Sequence, residues 1–142
     1  MKKIKNIDEI EKNNYTVSEV LNIANLTLKR LNKSGNLEIT PELFEKYMTT
    51  LIQLHTTEEI QNFQKINYYE ISEKYVLIKD IRISHKDLMA YTEVTLDWIK
   101  YLNRFTVESY IYCLIEVIFW YKPSEINFIA EEIKNEKIGR KM

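Results

Sequence analysis

Few residues in this chain have types that could do chemistry, and their spacing decides what chemistry stays open. The candidates are two histidines, His55 and His85, one thiol, Cys113, and two carboxylates inside an apolar run, Glu108 and Glu116. Neither histidine has a second His or Cys at metal-ligand spacing, and no HExxH or CxxC pattern occurs. Each reads as a surface or helix-capping residue. A nucleophilic thiolate needs an exposed, electropositive setting, and Cys113 has Tyr112, Leu114 and Ile115 as neighbours. It reads as a packing thiol.

Glu108 and Glu116 fall on nearly one face of a helix, separated by about 12 Å of rise. Glycosidase carboxylate pairs sit about 5–9.5 Å apart, and metal-bridging pairs sit closer still. One reading makes this stripe the wet edge of the helix, or pairs each acid with a Lys or Arg. The other starts from Tyr112, Ile115 and Phe119 on the same stripe, an apolar and aromatic surface with embedded acids, as a protein interface requires. The candidate interface is therefore Glu108, Tyr112, Glu116 and Phe119, as a homodimer seam or a dock for a basic partner. The only glycines, Gly35 and Gly139, lie in no phosphate-loop pattern, and four Asp without a cluster do not suit Mg²⁺-dependent phosphoryl transfer. The expectation is a non-enzyme without metal or cofactor.

These residues need a scaffold, and the composition points to helices. The chain has 142 residues, 45% hydrophobic and 29% charged, the size and balance of one globular domain. Two Gly and two Pro are too few for many tight turns. The run 106–121 is the most apolar and is hydrophobic almost all the way round, the pattern of a helix covered on most sides. The expected fold is all-α: one compact domain, 1–142, of six or seven helices around a buried central helix at about 107–121.

Start signals divide the rest. Thr16-Val-Ser-Glu19 is a capping box before an apolar stripe through Leu31, with Asn22, Asn25, Lys29 and Asn32 on the other face, and Ser34-Gly35-Asn36 stops it. Thr40-Pro41-Glu42, Thr56-Thr-Glu-Glu59, Ser84-His-Lys-Asp87 and Pro123-Ser124 open further helices, the one from Thr56 through Ile60 and Phe63, and the one from Ser84 ending near Asn103-Arg104. Residues 1–14 read as a short helix around Asp8 or a flexible arm, and 135–142 as a basic tail. Tyr75-Val-Leu-Ile78 and Ile81-Arg-Ile83 have strand composition, so a short β element near 69–83 stays open. The helical reading is preferred there, because a lone strand has nothing to pair with. Ile39-Thr-Pro-Glu-Leu-Phe and Ile83-Ser-His-Lys-Asp-Leu-Met share an Ile, a hydroxyl cap and an apolar pair, too little to define a repeat.

Tyr15-Thr-Val-Ser-Glu-Val, Leu28-Lys-Arg-Leu and Lys33-Ser-Gly-Asn-Leu37 together are similar to the helix-turn-helix opening of MerR-like and excisionase-like regulators. The resemblance covers about 25 residues, lacks the turn glycine between the two helices, and competes with one unbroken helix over the same segment. It implies DNA contact through Lys29, Arg30 and Lys33. The net charge of −1 gives no overall signature for nucleic acid.

One cysteine fits a reducing compartment, and 106–121 is short of the roughly 20 apolar residues of a membrane span, so a cytoplasmic protein is expected. Ile, Lys and Asn supply roughly a third of the chain, all with AT-rich codons, which suggests an AT-rich bacterium, phage or plasmid as the source. The functional expectation is a small protein-binding regulator or inhibitor that occludes a host complex. The alternatives are a DNA-binding transcriptional regulator and a homodimeric structural subunit.

Overall fold

Two short strands, β1 (Asn14–Thr16) and β2 (Arg82–Ser84), pair antiparallel with Tyr15 opposite Ile83, and each runs straight into a long helix. The computed structural model describes residues 6–33, 39–62, 66–101 and 106–141. Strand β1 follows α1 (Ile7–Glu11) and feeds α2 (Val17–Lys33), α3 (Pro41–Leu54) and α4 (Thr57–Asn62). After α5 (Tyr68–Ile71), the order repeats as α6 (Tyr75–Ile78), β2, α7 (His85–Ile99), α8 (Val107–Trp120) and α9 (Pro123–Lys141). The described residues thus form the mostly helical single domain expected, with one small sheet.

The two halves are copies of one arrangement. Val17 N–H donates to the Ile81 carbonyl and His85 N–H to the Asn13 carbonyl, at 3.0 and 3.1 Å, and these two bonds exchange equivalent residues. Just upstream, Asn13 N–H donates to Ile10 and Ile81 N–H to Ile78, closing the same turn after α1 and α6. Helix α2 packs on α8 as α7 packs on α3. Such reciprocity is that of an approximate two-fold axis. Phe44 of α3 and Tyr110 of α8, equivalent and fully buried, stack on each other at 5.3 Å.

The equivalence extends residue by residue. Thr16 and Ser84 cap α2 and α7, and each hydroxyl accepts the N–H of an acid, Glu19 or Asp87, in the first turn. Deeper in, Thr27 and Thr95 are both fully buried, and each hydroxyl bonds the carbonyl one turn back, Ile23 or Tyr91. That local bond lets a polar residue sit inside a helix-helix contact. Helices α3 and α8 have 14 residues each, a Thr N-cap (Thr40, Thr106) and an extended C-cap (His55, Tyr121). Their buried positions coincide, Met48 with Leu114 and Ile52 with Ile118.

The structure revises several sequence expectations. A repeat exists in a register that the motif comparison missed: Thr40 corresponds to Thr106, and Ser84 to Thr16. The segment near 69–83 contains both helix and strand, because the partner of β2 lies far back in the chain, just ahead of α2. Of the two readings of the N-terminal stretch, the short helix around Asp8 is the one observed over residues 6–14: Asn6 caps α1, Ile10 is fully buried and Asn14 begins β1. The helix-turn-helix is not formed, because Val17–Lys33 is one unbroken helix. Asn22 and Asn25 belong to the interior, where the Tyr68 hydroxyl donates to Asn22. Helix α9 continues through Lys141, and Lys137 pairs with the buried Glu93 at 3.0 Å, so the basic tail is in part a packed helix. Finally, α8 is covered along Tyr110, Ile111, Leu114, Ile115, Val117 and Ile118 but open along one stripe, and it shares the centre with α2 and α7. The expected stops at Ser34-Gly35-Asn36 and Asn103-Arg104, and Phe63, lie outside the described residues.

Candidate protein interface

The open stripe of α8 holds the four interface candidates. Glu108, Tyr112 and Glu116 recur every fourth position, and Phe119 and Trp120 extend the row by one turn, so all five project to one side. Glu108 is exposed, Tyr112 is 48% exposed and Trp120 64%. Phe119 and Glu116 are half-buried.

Glu116 sits at the centre of a small network. Its Oε1 accepts from Lys74 Nζ at 3.0 Å and its Oε2 from the Trp120 indole N–H at 3.0 Å. The Lys74 ammonium also lies 5.7 Å above the Phe119 ring, which packs edge-on against Trp120 at 4.9 Å. Partial burial alone would raise the Glu116 carboxyl. The hydrogen bonds from Lys74 and Trp120 and the ammonium charge outweigh it and hold the group below the usual carboxylate range. Burial, then the Glu116 charge, pushes the adjacent Cys113 thiol up, which keeps it protonated and unreactive.

Lys74 lies just ahead of α6, which packs on α8 and exposes Val76 and, at 70%, Leu77. Of the exposed large hydrophobic side chains among the described residues, only Leu54 lies in the first copy and Tyr69 lies on α5 between the copies; Val76, Leu77, Ile81, Tyr112 and Trp120 are among those in the second. At the positions equivalent to Tyr112, Glu116, Phe119 and Trp120, α3 carries Lys46, Thr50, Gln53 and Leu54. At those equivalent to Val76 and Leu77, α1 carries Asp8 and Glu9, both exposed.

The sequence reading named neither Trp120 nor Lys74. Trp120 was readable, being one turn beyond Glu116 on the same stripe. Lys74 was not, because only the fold brings it to α8.

The basic candidates lie elsewhere. Lys29, Arg30 and Lys33 are exposed near the C-terminal end of α2, where α7 has Asp97 and Trp98. Lys29 and Glu108 both line a cleft of about 540 Å³ over Asn25 and Tyr68, which is where the two candidate sets meet.

Among the histidines, His85 is a core residue and not a surface one. It is 7% exposed, and its Nδ1 lies 3.2 Å from the Tyr15 hydroxyl. Burial lowers its pKa against a smaller upward pull from Glu11. His55 is the C-cap of α3 and contacts Glu59 at 3.3 Å. Among the described residues no three His, Cys, Asp or Glu side chains gather as a metal site, and no helix is long and apolar enough to cross a membrane. Comparison with protein-family models, curated proteins and solved structures finds no match.

Proposed function

We propose that the protein is a non-enzymatic regulator or inhibitor that docks on another protein through the α6–α8 face and occludes it. The observation that carries this is the divergence of two equivalent surfaces. One scaffold is used twice, and the selective presence of aromatic and aliphatic groups on one copy has no role in the shared packing. Exposed apolar patches of this kind mark interaction sites, and Tyr and Trp are frequent anchors.

The test is affinity capture from host lysate on the wild-type chain and on Trp120→Ala and Tyr112→Ala, each with and without nuclease. The reading expects a stoichiometric protein that survives nuclease and is lost on both variants. Retention on both variants contradicts it.

A nucleic-acid role is the second reading, favoured by Lys29, Arg30 and Lys33 standing where the other half has no basic cluster. It predicts a salt-dependent shift of duplex DNA that weakens on Lys29→Ala or Arg30→Ala. A flat response removes it.

A further inference from the structure

We infer that the partner receives the Trp120 indole in an apolar cleft, through a contact that is largely uncharged and is made once per chain. This rests on the docking face proposed above and names the chemistry of what covers it.

Helical spacing leaves two readings of the acids of this stripe, pairing with a Lys or Arg of the chain or docking of a basic partner. The structure assigns Glu116 to the first. Both of its carboxylate oxygens are engaged inside the chain, by Lys74 and by Trp120. A basic partner would have to compete with two charge-assisted bonds already made. The face as a whole is also close to neutral: across residues 73–80 and 107–122, Glu73, Asp80, Glu108 and Glu116 oppose Lys74, Lys79 and Lys122. Neither strongly basic nor strongly acidic surfaces find complementarity here.

What the network does provide is a tryptophan ready for burial. A buried indole normally demands an acceptor for its N–H, and an unmet donor in an apolar pocket is costly. Here Glu116 supplies the acceptor from the same helix, one turn back. The ring can therefore enter a cleft that offers no polar group at all. The bond also favours this rotamer before docking, which reduces the ordering cost of association. Tyr112 on α8, and Val76 and Leu77 on α6, which packs on α8, are exposed apolar groups as well.

The first half repeats the backbone without the device. Thr50 stands for Glu116, Leu54 for Trp120 and Asn6 for Lys74, so the equivalent face has neither the indole nor its latch. One chain then carries one docking face, despite its internal two-fold arrangement.

The experiment uses the 142-residue chain and the protein captured on it, titrated by calorimetry at about 50 mM and about 500 mM NaCl, where screening separates charged from uncharged contacts. The expected result is a Kd that changes less than about threefold between the two salts, at a stoichiometry of one chain per site. Trp120→Ala should weaken binding by about 30-fold or more, and Glu116→Leu, which leaves the indole N–H unpaired, by about tenfold, with melting curves confirming that both variants fold. A loss of more than about tenfold in affinity at the higher salt overturns the uncharged contact while leaving the docking face in place. So does a stoichiometry of two. Full binding by Trp120→Ala, or no protein captured at all, overturns both this inference and the regulator reading.

Discussion

Helices α3 and α8 have the same length and the same Thr N-cap, every buried position of α3 is buried in α8 too, and both outer faces begin with an exposed glutamate, Glu42 or Glu108, but beyond that glutamate the outer faces differ. Lys46, Thr50 and Gln53 make one an ordinary solvated surface. Tyr112, Glu116, Phe119 and Trp120 make the other an aromatic row with a bridged acid. Where backbone and buried positions coincide, a difference on the outer face is not required by the packing that the two copies share. That is the value of an internal copy: it separates residues that build the scaffold from residues the scaffold presents. The same separation applies inside, where Val17 is a plain apolar residue and its equivalent His85 is a buried imidazole.

The sharpest way to break the equivalence is in the core. Met48→Ala and Leu114→Ala remove matched, fully buried side chains, and each should cost about 2–5 kcal/mol. Measured by chemical denaturation, the two values should agree within about 1 kcal/mol. A large disagreement would mean that the halves are alike in topology but not in packing. Next come the caps. Thr40→Ala and Thr106→Ala should each cost about 1 kcal/mol, because each removes the hydroxyl that accepts a first-turn N–H, that of Leu43 at 3.1 Å or of Ser109 at 3.0 Å.

The pH response should distinguish the halves. His85 has a pKa below its ordinary 6.5, with burial as the main cause. The unfolded chain therefore takes up a proton before the folded one does. The stability tied to the neutral imidazole is intact above that ordinary value and is lost as pH falls from it through the folded value. His85→Val, the residue type of the equivalent position, should flatten this part of the curve when unfolding is followed between about pH 7.5 and about pH 5. Glu116, held below its ordinary 4.5, acts at lower pH. Its contribution is present above that value and is lost as pH falls through the lower folded value. The smallest effect is expected on the surface itself, where Trp120→Leu should leave stability within about 0.5 kcal/mol of the wild type, as seen by thermal melting.

Much of the scaffold was legible because caps are local. Thr16 with Glu19, Thr40 before Pro41 and Ser84 before Asp87 each satisfy N–H groups within one turn, and each marks a helix start in the structure. The duplication was not legible, since the two copies conserve burial and capping rather than residue identity: Tyr15 answers Ile83, and Asn25 answers Glu93. Pairing of β1 with β2 depends on two short segments meeting across the fold, which no local pattern encodes. Asn22 and Asn25 looked like a solvated face because the group that covers Asn22, Tyr68, comes from a distant segment. Of the candidate interface, the stripe through Glu108, Tyr112, Glu116 and Phe119 followed from helical spacing. Its bridge to Lys74 and the exposed α6 residues beside it did not.

The most direct measurement exchanges the two outer faces. One variant carries Tyr112→Lys, Glu116→Thr, Phe119→Gln and Trp120→Leu; the other carries Lys46→Tyr, Thr50→Glu, Gln53→Phe and Leu54→Trp. Both are titrated by calorimetry against the captured partner, with melting curves to confirm folding. Binding should weaken at least about 100-fold in the first variant and stay within about twofold of wild type in the second. A folded first variant that still binds, or a second that does not, would contradict the assignment of docking to the α8 face.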